Sequence, residues 1–361
     1  MKKTITTIFG ILCIVVVTMK LSADTATTAL IEDATIKASP TLVSDIELTE
    51  TIAIVDGGSH VVTGLIGDGQ IIVQAGEEDV TIVLNGVDIT NNSGAAIYVA
   101  EAGDVTIEIA DGSVNKLTQT GLDAAEDEKA TIYSSSDLEF TGTGELIVVS
   151  TVADGISSSD DLIFTQGEII ISVADDGIRG KDSLTISGGS ITIDAVDDGM
   201  KSTNDEDLGR GILTITGGNI IINSGDDAIK AEQEILINGG TINILSSVEG
   251  IEAPVIVIDD GDVTLYASDD GINASASDII TNGLSITING GTINVEVGSG
   301  DTDAIDSNGD MYVNGGVINI TTPRSSFDFD GSGAINGGTV TVNGEVITEM
   351  PRQMGGGRRG G

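Results

Sequence analysis

The sequence predicts an all-β chain folded as a parallel β-helix, a solenoid of about 22 residues per coil. Three observations predict it. The apolar residues are mainly Ile and Val while aromatics are only 2% and Trp is absent, a composition that suits strands. Gly is abundant at 49 and Pro scarce at 4, which fits many strands joined by tight turns. A short motif also recurs at fixed phase, the mark of a repeat architecture.

The motif reads Ala153-Asp154-Gly155-Ile156, Asp175-Asp176-Gly177-Ile178, Asp197-Asp198-Gly199-Met200 and Asp226-Asp227-Ala228-Ile229. It continues in weaker form at Val248-Glu249-Gly250-Ile251, Asp269-Asp270-Gly271-Ile272 and Thr302-Asp303-Ala304-Ile305. Its third residue advances by 22, 22, 29, 22, 21 and 33 positions, a base period with two insertions. A second series keeps the same phase. Gly-Gly pairs at 188, 217, 239, 290, 315 and 337 each precede an alternating run such as Ser190-Ile191-Thr192-Ile193. Alternation is the pattern of a half-buried strand. Each unit is therefore expected to hold a strand, a Gly-Gly turn, a second strand and the Asp-Asp-Gly turn with a short third strand. Such a unit cannot bury its own apolar face, so neighbours must stack. Leucine-rich repeats, nine-residue calcium rolls and propellers fail on consensus, period or aromatic content.

Residues 51–348 are read as the repeat domain, with early strands at Val80–Leu84, Ala96–Val99, Val105–Ile109 and Leu146–Val149. Residues 24–50 are expected to cap or link it. Residues 1–23 read as a secretory signal, with Lys2 and Lys3 before the apolar run Ile5–Thr18 and a small-residue site near Ala23; Lys20 keeps a retained anchor open. The expected location is secreted or extracellular, in association with the cell surface as a further option. The single cysteine, Cys13, falls in the signal, so the mature chain is expected to lack disulfides. The end, 349–361, is Gly-rich and basic. It reads as an unstructured tail, with contact to an anionic envelope as the alternative.

The formal net charge is −42, and loss of the signal would remove three Lys and no acid. Such a surface excludes nucleic acid as a partner and attracts cations. Stacking would place equivalent residues about 4.8 Å apart. Asp175, Asp197, Asp226 and Asp269 then fall on one line, with Asp154, Asp176, Asp198, Asp227 and Asp270 beside it. Unit charges at that spacing repel by roughly 1 kcal/mol in water and several times more near a protein surface. Cations, protonation or backbone N–H donors must offset this. Calcium, which takes six to eight oxygen ligands, fits the paired carboxylates, and all nine Asp are candidate metal ligands. The plainer reading of any single Asp-Gly is a turn. Softer metals lack donors, His60 being the only imidazole. Two residues past the third motif position come Arg179, Lys201 and Lys230, then Glu252, Asn273 and Asp306. The three cations are either charge compensation or contacts for an anionic ligand, and a Lys beside calcium could serve as a general base. Asn238, Asn289, Asn314 and Asn336, each before a Gly-Gly pair, are expected either to form a ladder or simply to suit the turn.

These residues resemble a known family. Asp160-Asp161-Leu162-Ile163-Phe164, the run Asp175 to Ile186, Gly188-Gly189-Ser190-Ile191-Thr192-Ile193, Val83 to Thr90 and Ala96-Ile97-Tyr98-Val99 are similar to secreted carbohydrate-binding proteins of the clostridial cell-surface type. The resemblance spans roughly residues 50–361. It implies a right-handed parallel β-helix that holds calcium and binds an acidic, pectic polysaccharide such as polygalacturonate, similar in fold to family-nine polysaccharide lyases. It implies calcium at the Asp pairs 175–176, 197–198 and 226–227 with Asp154 alongside. It makes Lys201 and Lys230 the analogues of a lyase base. Three functions follow: a non-catalytic binder, with Arg179, Lys201 and Lys230 as ligand contacts; a structural surface protein or adhesin stiffened by calcium; and a calcium-dependent lyase using Lys201 or Lys230. The oligomeric state has no signal in the sequence.

Overall fold

A computed structural model describes residues 43–122, 130–300 and 302–351. The expected signal (1–23), residues 24–42 of the expected cap, and the tail from 352 onward lie outside the described residues. Among the described residues there is no helix.

The strands form two sheets. Twelve short strands make the smaller one: Ile52–Ile54, Ile71–Gln74, Ile97–Glu101, Ala130–Ser134, Asp154–Ser158, Ile178–Gly180, Met200–Ser202, Ile229–Ala231, Ile251–Glu252, Ile272–Ala274, Ile305–Ser307 and Asp328–Phe329. The other twenty-two strands make the larger one. Every pairing is parallel except the hairpin of Thr339–Val342 with Glu345–Ile347. The strand Val43–Leu48, inside the segment expected to cap the domain, pairs in parallel with 59–64.

The expected right-handed parallel β-helix, an open solenoid of about 22 residues per coil, is corrected by this pairing. The twelve parallel strands, with the extra strands of the larger sheet, close around a single apolar core that draws on both sheets from Leu48 to Met350. The expected separation into short strands also fails in places. Glu234–Ser246 runs unbroken for 13 residues through the Gly239-Gly240 pair where a turn was expected, and Val255–Ala267 is also 13 residues long. Gly240 and Gly261 take a positive φ there, which bends the strand without ending it.

The all-β reading and the alternation hold. One row of the smaller sheet points inward, Ile132, Ile156, Ile178, Met200, Ile229, Ile251, Ile272 and Ile305, all in register and all buried. Phe140 and Phe164 stack in the core at 4.8 Å. The next residue of each strand points outward, because side chains alternate across a sheet. That row runs Tyr98, Tyr133, Ser157, Arg179, Lys201, Lys230, Glu252, Asn273, Asp306 and Asp328.

Candidate functional site: a carboxylate column flanked by cations

The acid at the second motif position opens, or lies just before, a strand of the smaller sheet and is drawn into the structure. Asp154, Asp176, Asp198 and Asp227 are only 3–5% exposed. Their partners explain how the column is tolerated. Asp176 N–H donates to Asp154 Oδ1 (3.3 Å), Asp198 N–H to Asp176 Oδ1 (3.2 Å) and Asp227 N–H to Asp198 Oδ1 (3.0 Å). Asp154, Asp176 and Asp198 thus each take a hydrogen bond from the next repeat. The other oxygen meets a cation from the outward row. Arg179 Nε lies 3.2 Å from Asp154 Oδ2. Lys201 Nζ bridges Asp176 Oδ2 (2.5 Å) and Asp198 Oδ2 (3.1 Å). Lys230 Nζ bridges Asp227 Oδ2 (2.5 Å) and Glu252 Oε2 (2.6 Å).

The first acids behave differently. Asp175 and Asp226 are exposed and Asp197 is half-buried. Each still approaches the column. Ligand oxygens lie within 4.8 Å of one another in Asp154–Asp175–Asp176, Asp176–Asp197–Asp198 and Asp198–Asp226–Asp227. Three cations therefore face eight carboxylates, the seven Asp and Glu252, and the column keeps an excess of negative charge. Its acids respond. Burial pushes Asp154 up to about 7 despite Arg179, and burial with Glu252 alongside pushes Asp227 up to about 8. Asp176 and Asp226 are raised too, burial being the first cause. Burial alone would lower Lys201, but Asp176 and then Asp198 outweigh it and hold the amine charged. Lys230 is raised in the same way by Asp227 and Glu252.

Hard oxygen donors grouped in threes, partly buried and in carboxylate excess, fit a divalent cation such as calcium. Asp269 and Asp270 do not complete such a group among the described residues. Asp269 is exposed, and Asp270 accepts the Asp303 N–H at 2.7 Å. Two further groups escaped the sequence reading. Asp227–Glu249–Glu252 extends the column through a motif whose acid is Glu, and Asp137–Asp160–Asp161 lies outside the motif series. His60 stands apart from all of them, with Nδ1 2.7 Å from Ser44 Oγ and Nε2 3.0 Å from the Asp56 carbonyl.

A pocket also opens on this face. It holds about 30 Å³ and is lined by Ser157, Ser158, Ser159, Arg179, Lys181 and Thr203. Beside it Tyr133 OH and Ser159 Oγ are 2.7 Å apart, and Tyr133 stacks on Tyr98 at 5.4 Å. Of the three cations expected to contact a ligand, only Arg179 lines this pocket. Lys181 joins it, and the register would have found it: Ser159, Lys181 and Thr203 lie two positions beyond Ser157, Arg179 and Lys201.

A family profile described as carbohydrate-binding domain-containing protein matches residues 49–302 and 246–348. The chain belongs to this carbohydrate-binding domain family. A family relative from Acetivibrio thermocellus, also described as a carbohydrate-binding domain-containing protein, is 40% identical over 124 residues. That stretch is 33% of this chain and 43% of the relative, so the chain spans less than half of that relative's length. Among solved structures, a polysaccharide lyase-like protein from C. thermocellum, studied as a gadolinium derivative, is 33% identical with a TM-score of 0.53. The match covers 59% of this carbohydrate-binding domain protein and 92% of that chain.

Proposed function

We propose that this carbohydrate-binding domain protein is an exported, non-catalytic binder of acidic, pectic-type polysaccharide that uses calcium. The observation that carries the reading is the excess of carboxylates over cations in the column from Asp154 to Asp227. A protein of net charge −42 should repel a polyuronate. Divalent ions held by Asp154, Asp175, Asp176, Asp197, Asp198, Asp226 and Asp227 would reverse the local sign and bridge to sugar carboxylates. With only 2% aromatics, neutral sugars would find few platforms on which to stack.

The lyase alternative finds less support. A general base must be neutral when it takes its proton. Lys201 and Lys230 each sit between two carboxylates that hold them charged. The adhesin alternative draws on the same column, since ions there would also stiffen stacked repeats.

Retention on immobilised polygalacturonate, with and without EDTA, tests the proposal. Calcium-dependent retention without unsaturated product is the expected result, and retention unchanged in excess EDTA overturns it. A large calcium-dependent rise in Tm with no retention on any acidic glycan favours the adhesin.

A further inference from the structure

The charge of this chain is unevenly spread. Of its fifteen Lys and Arg, five fall between residues 179 and 230: Arg179, Lys181, Lys201, Arg210 and Lys230. Most are committed. Lys201 and Lys230 each bridge two carboxylates, and Arg210 pairs with the buried Asp182. Lys181 is held far less. Its Nζ is 4.0 Å from Glu206, and both side chains are open to water at 45% and 76% exposure. An exposed pair at that distance contributes little.

Arg179 and Lys181 line the same pocket, together with Ser157, Ser158, Ser159 and Thr203. Two cations and the hydroxyls of Ser157, Ser159 and Thr203 make a donor-rich cup with no carboxylate in its lining, while the Ser158 hydroxyl donates to the Ser136 carbonyl. At about 30 Å³ it exceeds the roughly 10–15 Å³ needed for one water, yet is too small for a sugar ring. It suits a small planar anion at the end of a larger molecule. A carboxylate meeting guanidinium, ammonium and hydroxyl donors forms the charge-assisted type of hydrogen bond, the strong one. The Nε contact to Asp154 fixes the guanidinium on the sheet, so less side-chain entropy is lost on binding. The same contact links the pocket to the group Asp154–Asp175–Asp176.

We infer that the pocket of Ser157, Ser159, Arg179, Lys181 and Thr203 is a direct subsite for one uronate carboxylate, engaged without a bridging metal. This rests on the proposed acidic-glycan reading and goes further, because it assigns the discrimination of acid from neutral or esterified sugar to Lys181 and its neighbours.

The test is calorimetric titration of the full chain, in calcium, with an oligogalacturonate, its methyl ester and a neutral cello-oligosaccharide of equal length. Wild-type protein should prefer the acid, and Lys181→Glu should weaken acid binding tenfold or more while leaving the methyl ester unaffected. The calcium-dependent Tm rise should persist in the variant, and Thr203→Val should weaken acid binding several-fold. Acid binding by Lys181→Glu equal to wild type overturns the subsite and leaves the calcium-bridged reading standing. An ester that wild type binds as tightly as the acid overturns the subsite and the calcium bridge together, since both need a free carboxylate. Loss of the calcium-dependent Tm rise in Lys181→Glu also overturns the subsite, since Lys181 would then act through the fold. A wild-type protein that binds no acidic oligomer in calcium or in EDTA overturns both readings.

Discussion

Lys201 is held between two buried carboxylates, and its removal would leave both uncompensated. Breaking a buried ion pair in this way costs about 3–5 kcal/mol. Lys201→Met should therefore lower Tm clearly at pH 8 and less at pH 3.5, because burial raises Asp176 above the ordinary carboxylate value and favours the neutral form, which needs no partner. Thermal unfolding at the two values in EDTA checks this; an equal loss at both would mean the Lys matters for packing alone. Asp306, on the same outward row, gives a second residue-scale prediction. Burial, with Asp270, Asp303 and Asp328 nearby, pushes it from 3.8 to about 7. A carboxyl raised on folding contributes stability that is whole below its unfolded value and lost as pH rises through the folded one. Asp306→Asn should thus leave Tm nearly unchanged at pH 4 and raise it by a few degrees at pH 8. A variant with no gain at pH 8 would show that the site relaxes around the charge. Much of this was legible in the sequence: the doublets and the basic stack could be placed on neighbouring lines from spacing alone. What spacing could not give is which acid of each doublet is buried. That depends on Asp154, Asp176 and Asp198 accepting N–H groups from the following repeat, and sequence does not display such contacts.

At the scale of the strand, the glycine of Asp-Asp-Gly has a different cause from the one its sequence suggests. Asp-Gly reads as a turn dipeptide, yet Gly155, Gly177 and Gly199 are not among the residues with positive φ. Their constraint is stacking. A Cβ on Gly177 would lie 2.4 Å from the Gly199 carbonyl oxygen and 2.5 Å from Ile193 Cγ2, while Gly177 N–H donates to the Asp198 carbonyl at 2.9 Å. Gly177→Val should cost about 1–3 kcal/mol, the usual penalty of overpacking, measured by urea unfolding; a cost under half of that would mean that neighbouring repeats slide apart easily. The Asn expectation divides in the same way. Asn336 donates to Asn314 (2.8 Å), Asn314 to Asn289 (2.8 Å) and Asn289 to Asp259 (2.7 Å). The ladder is real but ends on an aspartate, while Asn238 lies opposite Asp260. The repeat phase predicted the three Asn members. The register shifts around Asn238 moved the fourth, and a shift of pairing leaves no trace in spacing.

Over the whole molecule, apolar alternation predicted the parallel strands and the shared core, because Ile and Val rows must meet their like in the next repeat. It did not predict the division into twelve and twenty-two strands, which follows from where the chain bends without breaking. The same architecture couples the carboxylate column to any ion it takes. Burial pushes Asp154 up to about 7 and raises Asp227, so without metal both keep their protons to higher pH than an ordinary carboxyl does. A divalent cation needs them ionised, and its binding must release those protons. Calcium titration at pH 7 in two buffers of different ionisation heat should show net proton release, shrinking toward zero well above pH 8 as the acids are already ionised. Stability should follow. An ion that binds only the folded chain adds about 2.7 kcal/mol at a hundredfold excess over its dissociation constant. Calcium should therefore raise Tm most at the alkaline end, where repulsion within the column is otherwise greatest. Calcium binding with no buffer dependence at pH 7 would place the ion away from Asp154 and Asp227. Binding that vanishes in Asp175→Asn and Asp226→Asn, variants on the exposed acids with the buried column intact, would place it at the mouths of the doublets.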